Sequence, residues 1–245
     1  MVRYGTLDFT KGSDLFVGRV NRHPGYNPAT GENDIATLIL KASFAEGDNA
    51  RVIQLPTVEG DNDTSSFPPV GASLELTGWG HLQAGDGQLS TSLQRASGLV
   101  VMEGEECRRR WAAADPPVAI DPAKVICAED PVKSACFGDM GGAVVMRTRR
   151  KGVMDGDDHQ GSSPLEDTED EVLQQVGVIS FGSARCTSSG GSSGTPNVYT
   201  RVAAYADWIR ANSGARSALV RHSSAMSVFF SVVFVFSVLL FTQRL

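Results

Sequence analysis

Short apolar runs, each bounded by turn-forming residues, recur along most of this chain and constrain its fold more than any other feature. They are shorter than ordinary helices and match the strand spacing of β-barrels and β-sandwiches. The runs are Leu15–Val20, Ile35–Leu40, Arg51–Leu55, Ser73–Thr77, Gly98–Met102, Lys124–Ala128, Gly142–Met146, Gln175–Phe181 and Asn197–Val202. Ahead of the C-terminal region, only Ala203–Ala211 has helical spacing, carried by Tyr205 and Trp208. The sequence therefore predicts an all-β fold with one short C-terminal helix.

Length, charge and cysteine content narrow the class of protein. The chain has 245 residues, a formal net charge of -6 and four cysteines. It lacks the clustered basic face that neutralises phosphates, which argues against nucleic acid as a partner. The cysteine spacing is unlike that of a metal site, so neither a metal nor a cofactor is expected. Cysteine count alone leaves two disulfides and four free thiols open.

The C-terminal region contains an uncharged apolar segment, Ala225–Phe241. Its 17 residues lie at the short limit for a membrane-spanning helix. They also suit the tail of a glycolipid-anchor signal, with residues 212–214 as the cleavage site and the rest of 212–224 as the polar spacer. An anchor signal, a transmembrane helix and a buried core helix are the three interpretations. The first two predict attachment to a membrane.

The N-terminus conflicts with membrane targeting, because its first residues lack the apolar core of a signal peptide. The expectation is that residues are missing upstream of Met1 and that the protein is secreted and anchored at the cell surface. Asn62 begins an Asn-Asp-Thr tripeptide, which is a candidate glycosylation site in such a protein.

Two polar stretches interrupt the strand pattern. Residues 147–172 begin with basic side chains and then become acidic, which predicts a charged loop insertion. A solvated surface loop and a site for a partner that recognises charge are the two interpretations. Residues 187–195, rich in Ser and Gly, are predicted to form a flexible loop.

Several motifs, taken in order, carry a family resemblance. They are Asn33-Asp34-Ile35-Ala36, Thr77-Gly78-Trp79-Gly80, Gly138-Asp139-Met140-Gly141-Gly142-Ala143, Ser180-Phe181-Gly182 and Pro196-Asn197-Val198-Tyr199-Thr200. Over roughly residues 2–211, the chain resembles the trypsin/chymotrypsin family of serine proteases. The resemblance implies a chymotrypsin-like double β-barrel, with the N-terminal barrel incomplete because about three strands would lie upstream. Residues 1–245 alone are accordingly expected to be poorly soluble or partly unfolded.

The resemblance implies a damaged catalytic triad. Asp34 occupies the place of the family's Asp, but Met140 stands where the nucleophilic Ser belongs. A thioether has no proton to surrender and cannot form an acyl ester. The family's Ala-Ala-His-Cys stretch is absent from this sequence, and none of its four histidines is predicted to be the general base. These are His23, His81, His159 and His222.

The resemblance also implies how the rest of the site is altered. The oxyanion hole would use the backbone N–H groups of Gly138 and Met140. In the family, a newly cut N-terminal amine pairs with the residue equivalent to Asp139. No Ile-Val-Gly-Gly start occurs here, so the sequence offers Asp139 no evident partner.

The specificity pocket implied by the resemblance is uncharged and narrowed. Ser134 lies at its base, where it offers no charge to Arg or Lys. Ser180, Phe181 and Gly182 form one wall, and Phe181 replaces the family's usual Trp. Asn197 stands where a Gly usually keeps the channel open. A narrowed or closed pocket is expected.

The cysteines also follow the family, which pairs Cys107 with Cys127 and Cys136 with Cys186. A further family bridge has lost both ends, since Met146 replaces one Cys and no Cys lies near Ala96.

Three functional hypotheses follow. The first is a proteolytically inactive homologue that acts at the cell surface as a binding, decoy or regulatory module for a protein or peptide ligand. The second is a working serine endopeptidase, as the family resemblance implies. The third is a non-functional partial gene product.

Overall fold

The computed structural model describes residues 1–44, 46–47, 49–56, 66–85, 87–150, 170–182, 186, 194–213 and 234–236. Within these ranges, most regular structure is strand. The strands are β1 (Val2–Tyr4), β2 (Ser13–Leu15), β3 (Val17–Arg22), β4 (Ala36–Leu40), β5 (Ser73–Gly78), β6 (Gln94–Val101), β7 (Val125–Glu129), β8 (Ala143–Arg150), β9 (Asp170–Phe181), β10 (Asn197–Arg201) and β11 (Phe234–Phe236). The helices are α1 (Gly104–Ala112), a 3₁₀ turn (Val202–Tyr205) and α2 (Ala206–Asn212).

Six antiparallel strands close into a barrel in the order β10-β7-β6-β5-β8-β9. Alternation along β5 contributes to its interior: Leu74 and Leu76 are buried, whereas Thr77 is exposed. Their buried neighbours in the core include Leu99 and Tyr199. Period-two patterning of this kind directs one face of a strand inward, so the barrel follows from local sequence.

The other half of the fold is less complete among the described residues. It contains a sheet in the order β11-β4-β3 and a separate β1–β2 hairpin. The third strand of the sheet, β11, comes from the apolar segment predicted to reach a membrane. Within the described part of the chain, no helix is long and apolar enough to cross a bilayer.

The C-terminal helical region joins the two halves. Tyr205 and Ile209 pack with Ile35, next to β4, and with Val178 of the barrel. The carbonyl of Asn212 accepts hydrogen bonds from side chains of the β3–β4 sheet. The predicted C-terminal helix is confirmed, with its first turn in 3₁₀ form.

Helix α1 was not predicted, so the expectation of a single helix is wrong. Cys107 and Trp111, four residues apart, are its buried residues. On the exposed surface, Glu105 pairs with Arg108 and Glu106 with Arg109. Side chains three residues apart meet on a helix surface, and this spacing was the missed signal.

Two other expectations need correction. Arg51–Leu55 is not a strand, because Gln54 makes only an isolated bridge to Gln174 and the rest of the run has no ladder partner among the described residues. The charged insertion 147–172 is not loop throughout, because β8 continues to Arg150 and pairs with β9 from Asp170 onward. Arg147 of β8 forms an ion pair with Glu171 of β9 at 2.8 Å across this ladder, and such cross-strand charge pairs stabilise a sheet.

Candidate functional site

Asp34 lies at the entrance to β4 and is only 2% exposed. Ser180, at the end of β9, donates its hydroxyl proton to Oδ2 of Asp34 at 2.7 Å. The Thr200 hydroxyl donates to the Asp34 carbonyl at 2.7 Å. The Ser180 bond satisfies a buried carboxylate that would otherwise be costly, and the Thr200 bond satisfies a buried backbone carbonyl. Sequence reasoning placed Ser180 in the pocket wall and missed its contact with Asp34.

The stretch around Met140 forms a tight loop against the barrel. Gly138 and Gly141 adopt φ values of +93° and +88°, a region that favours glycine. The Gly141 N–H donates to the carbonyl of Ile179 at 2.9 Å. Met140 is half-buried and packs against the barrel core. Because Ile179 precedes Ser180, the end of β9 holds the Met140 loop and Asp34 in one region.

The expectation that Asp139 lacks a partner is wrong. Its Oδ1 accepts a hydrogen bond from the Gly80 N–H at 2.8 Å, and its Oδ2 accepts one from the Cys136 N–H at 2.9 Å. A Cβ atom at Gly78 would collide with this carboxylate, so the close approach requires glycine. The Asp139 carboxylate is thus held by the backbone N–H of Gly80, two residues after β5, and by that of Cys136 in its own loop.

The two described histidines have different surroundings. Nδ1 of His23 accepts a hydrogen bond from the Gly25 N–H at 3.1 Å, and its ring packs against Tyr205 and Trp208. Burial lowers the pKa of His23. The His81 backbone N–H donates to the Phe137 carbonyl at 2.8 Å, which places this residue beside the Met140 loop. His159 and His222 lie outside the described residues.

Three of the predicted pocket residues, Ser134, Gly182 and Asn197, lie against one another. Nδ2 of Asn197 donates to the Ser134 hydroxyl at 2.9 Å, and Asn197 is only 2% exposed. Its amide also fills the space beside Gly182, where an added Cβ would collide with Oδ1 of Asn197. The Asn197 side chain therefore occupies volume between the wall and the base of the predicted pocket.

Phe181 contributes to a separate cavity of about 230 Å³. Its ring packs edge-on against Trp111, with centroids 5.2 Å apart. Apolar residues, including Ile120, share the lining with charged groups at the cavity's edge. Among these, Lys124 pairs with Glu32 at 2.6 Å.

Two disulfides brace this region. One joins Cys107 of α1 to Cys127 of β7, and the other joins Cys136 to Cys186. Both pairings are those that the family resemblance implied. Asn62, the candidate glycosylation site, lies outside the described residues, as do residues 187–193 of the predicted flexible loop.

Fold and site together define a chymotrypsin-like protein: a closed antiparallel barrel, a second β half and a loop with the Gly-Asp-X-Gly-Gly pattern next to a buried Asp. The family model described as Trypsin matches residues 2–209. The chain therefore belongs to the trypsin family, whose members are serine endopeptidases.

Known proteins agree with this assignment. The chain is 27% identical to "Trypsin 5G1" of Aedes aegypti over 87% of its own length and 65% of the relative's. It is 34% identical to "Transmembrane protease serine 9" of Rattus norvegicus, over 84% of this chain and 16% of the relative. The chain thus spans at most about two thirds of these relatives. The solved structure of neuropsin, a serine protease expressed in the limbic system of mouse brain, superposes with a TM-score of 0.62 at 23% identity, covering 85% of this chain and 77% of that one. That likeness concerns the fold alone.

Proposed function

We propose that this chain is a proteolytically inactive member of the trypsin family that binds a protein or peptide ligand outside the cell, as a binding, decoy or regulatory module. The proposed inactivity rests on the presence of methionine at position 140, where the family has its nucleophilic serine. Acyl transfer requires an O–H or S–H nucleophile with an adjacent base, and a thioether offers neither a proton nor a stable acyl bond. The serine endopeptidase alternative rests on family membership alone.

The neighbouring groups support loss of catalysis. In the triad chemistry of this fold, an imidazole must stand between the acid and the nucleophile. Here the His23 ring packs against Tyr205 and Trp208, and its Nδ1 accepts a hydrogen bond from the Gly25 N–H. Asp139 is satisfied by backbone N–H groups. Asn197 occupies the space a substrate side chain would need.

The cavity at Phe181 supports the binding part of the proposal. Its volume of about 230 Å³ is smaller than the roughly 300–1,000 Å³ typical of small-molecule sites. An apolar lining with the Lys124–Glu32 pair at its edge suits one apolar side chain of a peptide whose backbone stays near solvent. The ligand class is therefore a peptide segment with an exposed apolar anchor.

The extracellular location is part of the same proposal. Two disulfides in one domain are typical of oxidising compartments. Membrane attachment through residues 225–241 remains a prediction from sequence.

Inactivity is tested with the oxidised chain, its Met140→Ala variant and an active trypsin, assayed on a panel of peptide esters and with a fluorophosphonate probe. We expect turnover and labelling only for trypsin. If the native chain hydrolyses an ester and Met140→Ala does not, Met140 has a catalytic role and the proposal is wrong. Met140→Ser shows whether a restored hydroxyl suffices within residues 1–245, and we expect no turnover from them because none of their four histidines is predicted to be the general base.

Peptide binding is tested by selecting a displayed random peptide library on the native chain. Enriched peptides are then measured by fluorescence anisotropy against Phe181→Ala and against Phe16→Ala, a control at a side chain that is 65% exposed. We expect Phe181→Ala to weaken binding at least tenfold and Phe16→Ala to have no effect. No enrichment, or equal loss in both variants, would exclude the Phe181 cavity as the site.

A further inference from the structure

The two edges of β4 are covered by different parts of the chain. On one edge, β4 pairs with β3, its neighbour in sequence. On the other it pairs with β11, in the register Phe234↔Leu38, Val235↔Thr37 and Phe236↔Ala36. An uncovered edge would leave backbone N–H and C=O groups unpaired and open to aggregation. The segment predicted to leave the domain for a membrane thus supplies the third strand of this sheet.

The register gives this sheet an apolar row. Residues directly opposite each other in antiparallel strands share a face. The positions of Val20, Leu38 and Phe234 therefore form one row across β3, β4 and β11. Val20 is 56% exposed, so this face presents apolar surface to solvent.

An apolar cavity adjoins the same strand. It has a volume of about 450 Å³ and is lined partly by Leu40, two residues beyond Leu38 and on the same face of β4. Other apolar lining residues are Val2, Tyr4, Leu15, Phe44 and Ile53. Apolar surface of this extent favours a partner, since each buried Å² contributes about 25 cal/mol.

We propose that the segment Ala225–Phe241 is an internal strand that completes the β3–β4 sheet and covers the cavity at Leu40, with β11 as its paired part. Because β11 runs antiparallel to β4, its first residue, Phe234, pairs with Leu38 and is the end of β11 nearer to Leu40 and the cavity. Val and Phe make up ten of the segment's 17 residues, and both types favour strands. The proposed occupant of the cavity is this chain's own apolar segment. The competing possibility is that the segment enters a bilayer.

Disulfide trapping tests the register. Leu38→Cys combined with Phe234→Cys places two thiols at directly paired positions, and Leu38→Cys with Val235→Cys is the matched control displaced to the other face. After oxidation and digestion at Lys and Arg, mass spectrometry should find peptide 23–41 linked to peptide 222–244 in the first variant. We expect at least tenfold more of this product than in the control. Equal yields would overturn the proposal.

A second measurement uses the unmodified side chains. Hydrogen exchange of the β4 amides is compared between the full chain and a chain ending at Ser224, both with their disulfides formed. We expect exchange in β4 to be at least tenfold faster without the segment, because its edge loses β11. The full chain is also floated with phosphatidylcholine vesicles and is expected to stay in solution. Unchanged exchange in β4 would show that the segment does not cover this edge of the sheet. Flotation with the vesicles would show that the segment belongs to the membrane. Either result would overturn the proposal.

Discussion

Ser180 donates its hydroxyl proton to Oδ2 of Asp34 at 2.7 Å, a contact that joins the end of β9 to the start of β4 across 146 residues. The carboxylate is 2% exposed, so its hydrogen bonds replace lost water. The strand that carries the predicted pocket wall therefore also contacts Asp34, the residue predicted at the position of the family's catalytic Asp. This link couples the barrel to the second β half.

Ser180→Ala should destabilise the chain by about 1.5–3 kcal/mol, because the buried Asp34 carboxylate loses a donor. The measurement is urea unfolding of the oxidised chain. Ser73→Ala, at an exposed position, is the control and should change the free energy of unfolding by less than about 0.5 kcal/mol. Equal effects of the two substitutions would contradict the Ser180–Asp34 contact.

Asp139→Ala should cost about 1–3 kcal/mol, since the Gly80 and Cys136 N–H groups both lose their acceptor. Asp139→Asn keeps one acceptor oxygen and should cost less. Faster hydrogen exchange at the Gly80 amide is the local readout. Asp207→Ala, at a side chain 96% exposed, is the control. Unchanged exchange at Gly80 in Asp139→Ala would refute the assigned contact.

Glu75 should make stability depend on pH. It accepts hydrogen bonds from Arg95 and Arg147, which lower its pKa from 4.5 to about 2. The folded state therefore gains stability that is complete above pH 4.5 and is lost as the pH falls through about 2. Glu75→Gln should reduce the free energy of unfolding by about 1 kcal/mol at pH 7 and by almost nothing near pH 2. Urea unfolding at several pH values gives both numbers.

The control for this pH dependence is Glu105→Gln, which removes an exposed pair on α1. It should change stability little at any pH, because exposed pairs contribute little. A Glu75→Gln effect that stays constant between pH 7 and pH 2 would mean that the charge of Glu75 is not the source of its contribution.

The Asn197 amide should keep the predicted pocket closed to cations. Calorimetry of the native chain with benzamidine is expected to show no binding, because Asn197 fills the space and Ser134 carries no charge. Ser134→Asp with Asn197→Gly removes the side chain and adds a carboxylate that can pair with the amidinium. This double variant should bind at least tenfold more tightly than Ser134→Asp alone. Tight binding by the native chain would disprove the closed pocket.

Local pattern predicted the barrel because strand alternation is a property of neighbouring residues. Leu74 and Leu76 follow the period-two rule, and their burial in β5 confirms it. Helix α1 was missed because its few apolar residues are interspersed in sequence with charged residues, which weakens the helical pattern of apolar positions. Arg51–Leu55 has strand composition, yet it forms no strand, because a strand also needs a continuous partner.

The sequence by itself determined the chemistry of the side chain at the predicted nucleophile position: Met140 carries a thioether wherever the chain places it, so the predicted loss of the nucleophile follows from the residue type alone. Tertiary structure decided the contacts between distant residues. The Asp139 carboxylate meets the Gly80 N–H across 59 residues, and β11 pairs with β4 across nearly the whole chain. Such contacts depend on the path of the folded backbone, which no local pattern of side chains specifies.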